Sequence, residues 1–308
     1  MTKVDVVVVG SYNHDISFSV DRLPAAGETI LSRGRHDSPG GKGSNQAIQA
    51  ARCGARTAMV AALGDDAASE AALGLWRSEG IATHLVAKLA GVGAGTAVIL
   101  VDASGENLIV VDSGANARLS AAHVEAAAAD IGAARLVLAQ LETPTSAILR
   151  AFEIARGAGV ATLLNAAPAP GALEPALLAL TDILIVNEGE GRALSGHQDA
   201  EAIGDALLPR VARAVVVTLG ARGALLFERG QPVWRAASPS VDVVDSTGAG
   251  DAFVGAFAAR LASEGDAGAA LAWGVAAGAL ACTAKGATAS CADAARIAAL
   301  IAPSPPNE

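Results

Sequence analysis

Val4-Asp5-Val6-Val7-Val8-Val9-Gly10 is an apolar run interrupted only by Asp5 and closed by a turn residue. It lacks the in–out alternation of a half-wet strand, so it reads as a strand buried on both faces, as in parallel sheets. The same kind of run returns at residues 57–63, 136–141, 160–164 and 183–186, with helical stretches such as 65–78 and 144–155 in between. This alternation predicts an α/β fold, a three-layer α/β/α domain around a central, mostly parallel sheet. Ligands of such sheets bind beyond the carboxyl ends of the strands. Polar residues gather there: Asn13 and Asp15 after the first strand, then Glu142, Asn165 and Asn187-Glu188-Gly189-Glu190 after later ones.

Two regions break the rhythm. Short alternating stretches at 17–20 and 29–31, and at 96–101 and 107–111 around a turn at 102–105, predict a few antiparallel strands outside the main sheet. They are expected to form one small β-sheet lid, from about 12–38 and 94–114. Everything else reads as a single domain over 1–302, with a disordered tail at 303–308.

Two glycine-rich stretches open helices. Pro39-Gly40-Gly41-Lys42-Gly43-Ser44-Asn45-Gln46 precedes a helical run at 47–53. It is not a Walker A loop, because His36 and Gly43 stand where that motif needs glycine and Ser or Thr. It fits a plain glycine turn, or a grip on hydroxyls or an anion through Lys42 and Asn45. Val244-Asp245-Ser246-Thr247-Gly248-Ala249-Gly250-Asp251 precedes Phe253, Val254, Phe257 and Leu261 at helical spacing. A bare glycine helix start exposes N–H groups that suit a phosphate. Asp251, in the first turn, fits either a general base beside that anion or a carboxylate complementing the dipole. Asn187 and Glu190 fit a capping box or a Mg²⁺–phosphate pair, ligated directly or through water. Thr218 and the turn Leu219-Gly220-Ala221-Arg222-Gly223 fit terminal phosphates or a hairpin entry. The break Lys285-Gly286-Ala287 is expected to fold back towards Asp245.

Composition narrows the function classes. A formal charge of −9 over 308 residues, with no dense basic run, argues against a nucleic-acid surface. Cys53, Cys282 and Cys291 lack zinc or CxxC spacing and read as reduced thiols. The longest apolar run, 268–284, is mostly alanine and glycine and falls short of a membrane span. A soluble, cytoplasmic protein without a membrane or nucleic-acid partner is expected.

Taken together, these stretches resemble the ribokinase (PfkB) family of ATP-dependent carbohydrate kinases, from residue 4 to about 290. Gly40-Gly41-Lys42-Gly43-Ser44-Asn45 resembles the first family signature and residues 245–251 the second. Asn187-x-x-Glu190 resembles the family's metal–phosphate motif. Residues 10–15, 27–29, 105–107 and 114–116 are similar to its ribose-phosphorylating members. The resemblance implies transfer of the ATP γ-phosphoryl group to the 5-hydroxyl of D-ribose, with Mg²⁺, activation by K⁺, and a homodimer joined through the lid. It implies that Asn13, Asp15, Gly41, Lys42, Asn45 and Glu142 hold the sugar, that Asp251 is the base, and that the N–H groups of Gly248, Ala249 and Gly250 form the anion hole. Asn187 and Glu190 would organise Mg²⁺. The nucleotide would be lined by Asn187, Thr218, Gly220, Arg222, Gly223 and Gly250. Oxygens for K⁺ would come from Asp245, Thr247, Ala281, Ala284, Gly286 and Ser290.

There are departures from the family pattern. Tyr12 and His14 stand where smaller residues are expected beside the sugar, and Val275 where a nucleotide-contacting histidine can occur. Alternatives are a kinase of the same fold for a nucleoside, deoxyribose or a ketohexose, and a sugar sensor without turnover. A dinucleotide-dependent oxidoreductase is disfavoured, because Gly10-Ser11-Tyr12-Asn13 is not G-x-G-x-x-G.

Overall fold

A computed structural model describes residues 3–169 and 171–301. The first half runs β1 (Val6–Val9), β2 (Asn13–Ser19), β3 (Gly34–Gly40), α1 (Lys42–Arg52), β4 (Thr57–Val60), β5 (Ala62–Leu63), α2 (Ala67–Ser78), β6 (Ala87–Lys88), β7 (Gly95–Val101), β8 (Asn107–Asp112), α3 (Ala121–Ala126), α4 (Ala128–Ala133) and β9 (Leu136–Gln140). It continues through α5 (Thr145–Gly157), β10 (Ala161–Asn165), α6 (Pro175–Ala179), β11 (Ile183–Asn187), α7 (Glu188–Ser195), α8 (Ala200–Leu207), β12 (Ala214–Thr218), β13 (Ala224–Glu228) and β14 (Trp234–Ala236). Three helices close it: α9 (Ala249–Glu264), α10 (Ala267–Ala281) and α11 (Ala294–Ile301).

The central sheet has the order β14-β13-β12-β11-β10-β9-β1-β4. It is parallel from β4 to β12 and antiparallel at β13 and β14. Both of its faces are covered, which is why β1 needs no polar face. Val6 and Val8 pack into one layer with Ile48, Phe253, Phe257 and Leu271. Val7 and Val9 pack into the other with Ile148, Phe152, Ile203 and Leu207. Burying each such side chain contributes about 1.5–3 kcal/mol.

The lid is a second sheet, β3-β2-β7-β8, made of the two predicted patches. Three details differ from the sequence reading. Residues 29–31 form no strand: Leu31 is 90% exposed, so this apolar triplet has nothing to bury against. The polar Gly34–Gly40 pairs instead, its Asp37 accepting from Arg35 and from His14 at 3.1 Å. The lid is also not wholly antiparallel, since β2 and β7 run parallel, Asn13 opposite Gly95. The run 57–63 splits, because β1 ends at Val9 opposite Val60 and β5 turns away to pair with β6. The tail 303–308 and residue 302 lie outside the described residues.

Helix α1 begins at Lys42, earlier than the apolar pattern alone suggested. It lies against α9 with very little space. A Cβ on Gly255 would stand 2.4 Å from Gln46 O and 2.7 Å from Gln49 Cβ, so glycine is what lets the two helices approach. This contact carries the start of α1 to the start of α9.

Candidate active site

The N-terminus of α1 is anchored from below. Glu142, just past β9, accepts from the backbone N–H of Lys42 (2.8 Å) and from Ser11 Oγ (2.5 Å), while Gly43 N–H donates to Ser11 Oγ (3.2 Å). Glu142 thus caps α1 as an anion at a helix start. Ser11 was not singled out in the sequence; only the return of α1 onto the end of β1 gives it a role.

Asp251 sits in the first turn of α9 and is 8% exposed. Asn45 Nδ2 donates to its Oδ2 and Gln46 Nε2 to its Oδ1, each at 2.9 Å. The other end of Asn45 accepts from Thr288 Oγ1 at 3.1 Å. Ahead of Asp251, Gly248 takes φ 78° as the N-cap, and no side chain caps the helix. A Cβ there would lie 2.6 Å from Ala287, so glycine is required on both counts. Ala249 N–H closes a turn onto Ser246 O at 3.2 Å, a bond that an incoming phosphate would have to replace.

Lys42, Asn187, Glu190, Thr218, Gly248, Gly250 and Asp251 line one cleft of about 140 Å³. It adjoins a wider one of about 740 Å³ through the shared Asn187, Thr218 and Gly250. Gly220, Gly223, Val241, Val243, Phe253, Val275 and Cys282 wall the wider cleft. Its largely apolar walls suit a flat base, and its polar mouth suits phosphates. The loop part of this wall, Val241 and Val243, was not legible beforehand, because isolated valines in a loop carry no pattern. Arg222 lies outside both linings, paired with Glu188 at 2.6 Å.

Asn187 and Glu190 form the reciprocal capping box, both bonds at 2.8 Å, and they also line the cleft. The capping-box reading is thus borne out, and the box leaves both residues on the cleft wall. Burial pushes the Glu190 carboxyl up. Burial would lower the Lys42 ammonium, but Asp251, Glu142 and Glu190 outweigh it and hold it above its ordinary value. Among the described residues no three His, Cys, Asp or Glu side chains converge as a metal cage. The donor set fits a Mg²⁺ that arrives with nucleotide phosphates and keeps its water, with Glu190 as a carboxylate on the cleft wall.

On the lid side, Asn13 is buried with its Oδ1 accepting from Asn116 Nδ2 at 2.9 Å. Burial first, then the charge of Glu142, raise the Asp15 carboxyl to about 6. Tyr12 packs its ring into the core behind Asn13 and Asp15. It is 2% exposed, and its ring meets Trp76 edge-on at 6.0 Å in the core. His14 is turned to Asp37.

The break at 285–287 does return to Asp245, which accepts from Gly286 N–H (3.0 Å) and from Thr247 N–H (2.9 Å) and Oγ1 (2.7 Å). Burial pushes Asp245 up, but these donors outweigh it and hold the carboxyl below its usual range. Ala281 ends α10, and Ser290 Oγ donates to Ala287 O within the same loop.

A base-sized slot, a phosphate-sized cleft and a buried carboxylate at a bare helix start define a phosphotransferase that acts on an alcohol. The sequence pattern of the pfkB family carbohydrate kinases matches residues 3–295. Ribokinase of Mus musculus is 40% identical over 263 residues, covering 83% of this chain and 81% of its own. Deoxyribokinase of Salmonella typhi is 33% identical over 288 residues, covering 92% and 94%. The structure of Arabidopsis thaliana ribokinase complexed with ribose and ATP superposes with a TM-score of 0.89 at 31% identity, covering 97% and 99%. The chain belongs to the PfkB family of carbohydrate kinases, and it is an ATP-dependent sugar kinase.

Proposed function

We propose that this kinase phosphorylates D-ribose at the 5-hydroxyl, giving D-ribose 5-phosphate and ADP. The observation that carries the reading is Asp251, a buried carboxylate gripped on both oxygens and placed at the uncapped start of α9. Asn13, Asp15, Gly41, Lys42, Asn45 and Glu142 hold the sugar hydroxyls under the lid, which excludes competing water. Asp251 takes the proton of the hydroxyl as it attacks phosphorus in line. The N–H groups of Gly248, Ala249 and Gly250, with the ammonium of Lys42, take up charge on the transferring group. Mg²⁺ held through Asn187 and Glu190 supplies further charge neutralisation on the phosphates. Thr218, Gly220 and Gly223 line the nucleotide. Asp245 and Thr247, with the carbonyls of Ala281, Ala284, Gly286 and Ser290, would hold K⁺, whose charge would steady the loop beside Gly248.

The enzyme acts as a homodimer through the lid. Leu108 and Val110 on one face of the edge strand β8, and Ile109 and Val111 on the other, are 42–61% exposed, apolar surface on an open edge that a second lid would cover. The three free thiols fit a reducing compartment, the cytoplasm. No helix among the described residues is long and apolar enough to cross a membrane.

The test is ADP release from Mg²⁺-ATP with D-ribose, 2-deoxyribose, D-fructose, adenosine and uridine, each with and without K⁺. Fastest turnover with ribose, raised by K⁺, is expected. The similarity to a deoxyribokinase over 92% of the chain favours 2-deoxyribose as the second reading. A clear preference for 2-deoxyribose would install it.

A further inference from the structure

Behind Asp251 lies a line of buried amides from three different elements. Gln46 Nε2 (α1) donates to Asp251 Oδ1 at 2.9 Å and to Asn165 Oδ1 (β10) at 3.0 Å. Gln140 Nε2 (β9) donates to Gln46 Oε1 at 2.7 Å. Gln46 and Gln140 have no exposed surface, and neither lines the clefts.

The direction of this line is dictated by its end. A carboxylate only accepts, so Gln46 must turn its NH₂ to Asp251, and its carbonyl then takes the NH₂ of Gln140. That leaves Gln140 Oε1 buried with no partner. Such an orphan costs about 1–3 kcal/mol, which an apolar side chain at 140 would avoid. Local rules broken at this cost are expected where function gains from them.

We propose that Gln46, backed by Gln140, is a positioning residue for the phosphoryl-transfer base. Asn45 holds Oδ2 and Gln46 holds Oδ1, so the plane of the Asp251 carboxylate is set from both sides while each oxygen keeps a second lone pair for the sugar hydroxyl. This inference rests on the reading of Asp251 as base.

The test is steady-state kinetics of the full chain, using the best acceptor from the panel above, for Gln46→Leu, Gln46→Glu and Asp251→Asn. Gln46→Leu is expected to lower kcat at least ~10-fold with KM for ATP within twofold, since misplacement by about 1 Å costs on the order of 10²-fold. Gln46→Glu is nearly isosteric and decides the matter if the leucine variant does not fold. A second carboxylate beside Asp251 disfavours its ionised form, so the acid limb of kcat should move up by about one pH unit or more. The other titratable groups around Asp251 are Lys42 on α1, Asp15 on β2, Glu142 after β9, Glu190 on α7 and Cys291. They are common to wild type and variants. A purely structural glutamine would not move that limb. Wild-type kcat and an unmoved acid limb in Gln46→Glu, or a Gln46→Leu loss confined to KM, would overturn the inference while an inactive Asp251→Asn left the base reading standing. Wild-type turnover in Asp251→Asn would overturn both.

Discussion

Replacing Gly255 by alanine asks whether the approach of α9 to α1 sets turnover. The new Cβ would stand 2.4 Å from Gln46 O, 2.7 Å from Gln49 Cβ and 3.1 Å from Ala50 N, where ordinary contact begins near 3.4 Å. The obstacles are main-chain or next to it, so no side-chain rotation relieves them, and α9 must retreat by about 1 Å. Asp251 lies one turn earlier on the same face and moves with it. Its two 2.9 Å bonds from Asn45 and Gln46 then stretch beyond good hydrogen-bond length. A shift of about 1 Å at a reacting group costs on the order of 10²-fold, or ~3 kcal/mol of activation free energy. Stability should fall far less. Overpacking costs about 1–3 kcal/mol, and the alanine returns up to ~1 kcal/mol of helix propensity, leaving a net loss of ~1 kcal/mol. A coupled ADP assay reads the first effect and a urea melt followed by circular dichroism reads the second. Turnover within threefold of wild type in a folded variant would refute the claim that this contact places the base.

Four further outcomes follow from the site. Asp251→Asn should lose at least ~10²-fold in kcat, the range of general-base contributions; single-turnover kinetics near wild type would remove Asp251 from the chemistry. Folding raises the Asp15 pKa to about 6, so its linked stability is full below about pH 4 and lost as pH rises through about 6. Asp15→Asn should therefore match wild type in urea melts at pH 4 and exceed it at pH 8, by at most ~3 kcal/mol; equal stability at both would contradict this. Val110→Lys on β8 should halve the mass seen by light scattering at micromolar concentration, and an unchanged dimer would place the interface elsewhere. Asp245→Ala removes the acceptor for Thr247 and Gly286 N–H groups and should abolish K⁺ stimulation of turnover, which would persist if the cation bound at another loop.

The parallel sheet was legible because unbroken valine and leucine runs have no polar face and fit only a strand covered on both sides, as Val6–Val9 are. The two helix starts were legible because glycine runs ahead of helical periodicity are local signals, and the Asn187–Glu190 box forms as its spacing predicts. Partners distant in the chain were not. Residues 29–31 have strand-like chemistry but no surface to bury against, and Gly34–Gly40 pairs because β2 lies alongside it. That the Tyr12 ring packs edge-on against Trp76 was likewise not readable from its neighbours in sequence. The pairing of Arg222 with Glu188, 34 residues away, was not readable either. Gln46 is 205 residues from Asp251, Gln140 is 94 from Gln46, and nothing local in either glutamine announces a partner. Sequence alone thus determined the buried core strands, the helices between them and the glycine turns that open α1 and α9, since those depend on neighbours within a few residues. Which polar side chains meet beneath Asp251 was decided by tertiary packing, because a hydrogen bond depends on position to tenths of an ångström and here two helices meet closely at Gly255.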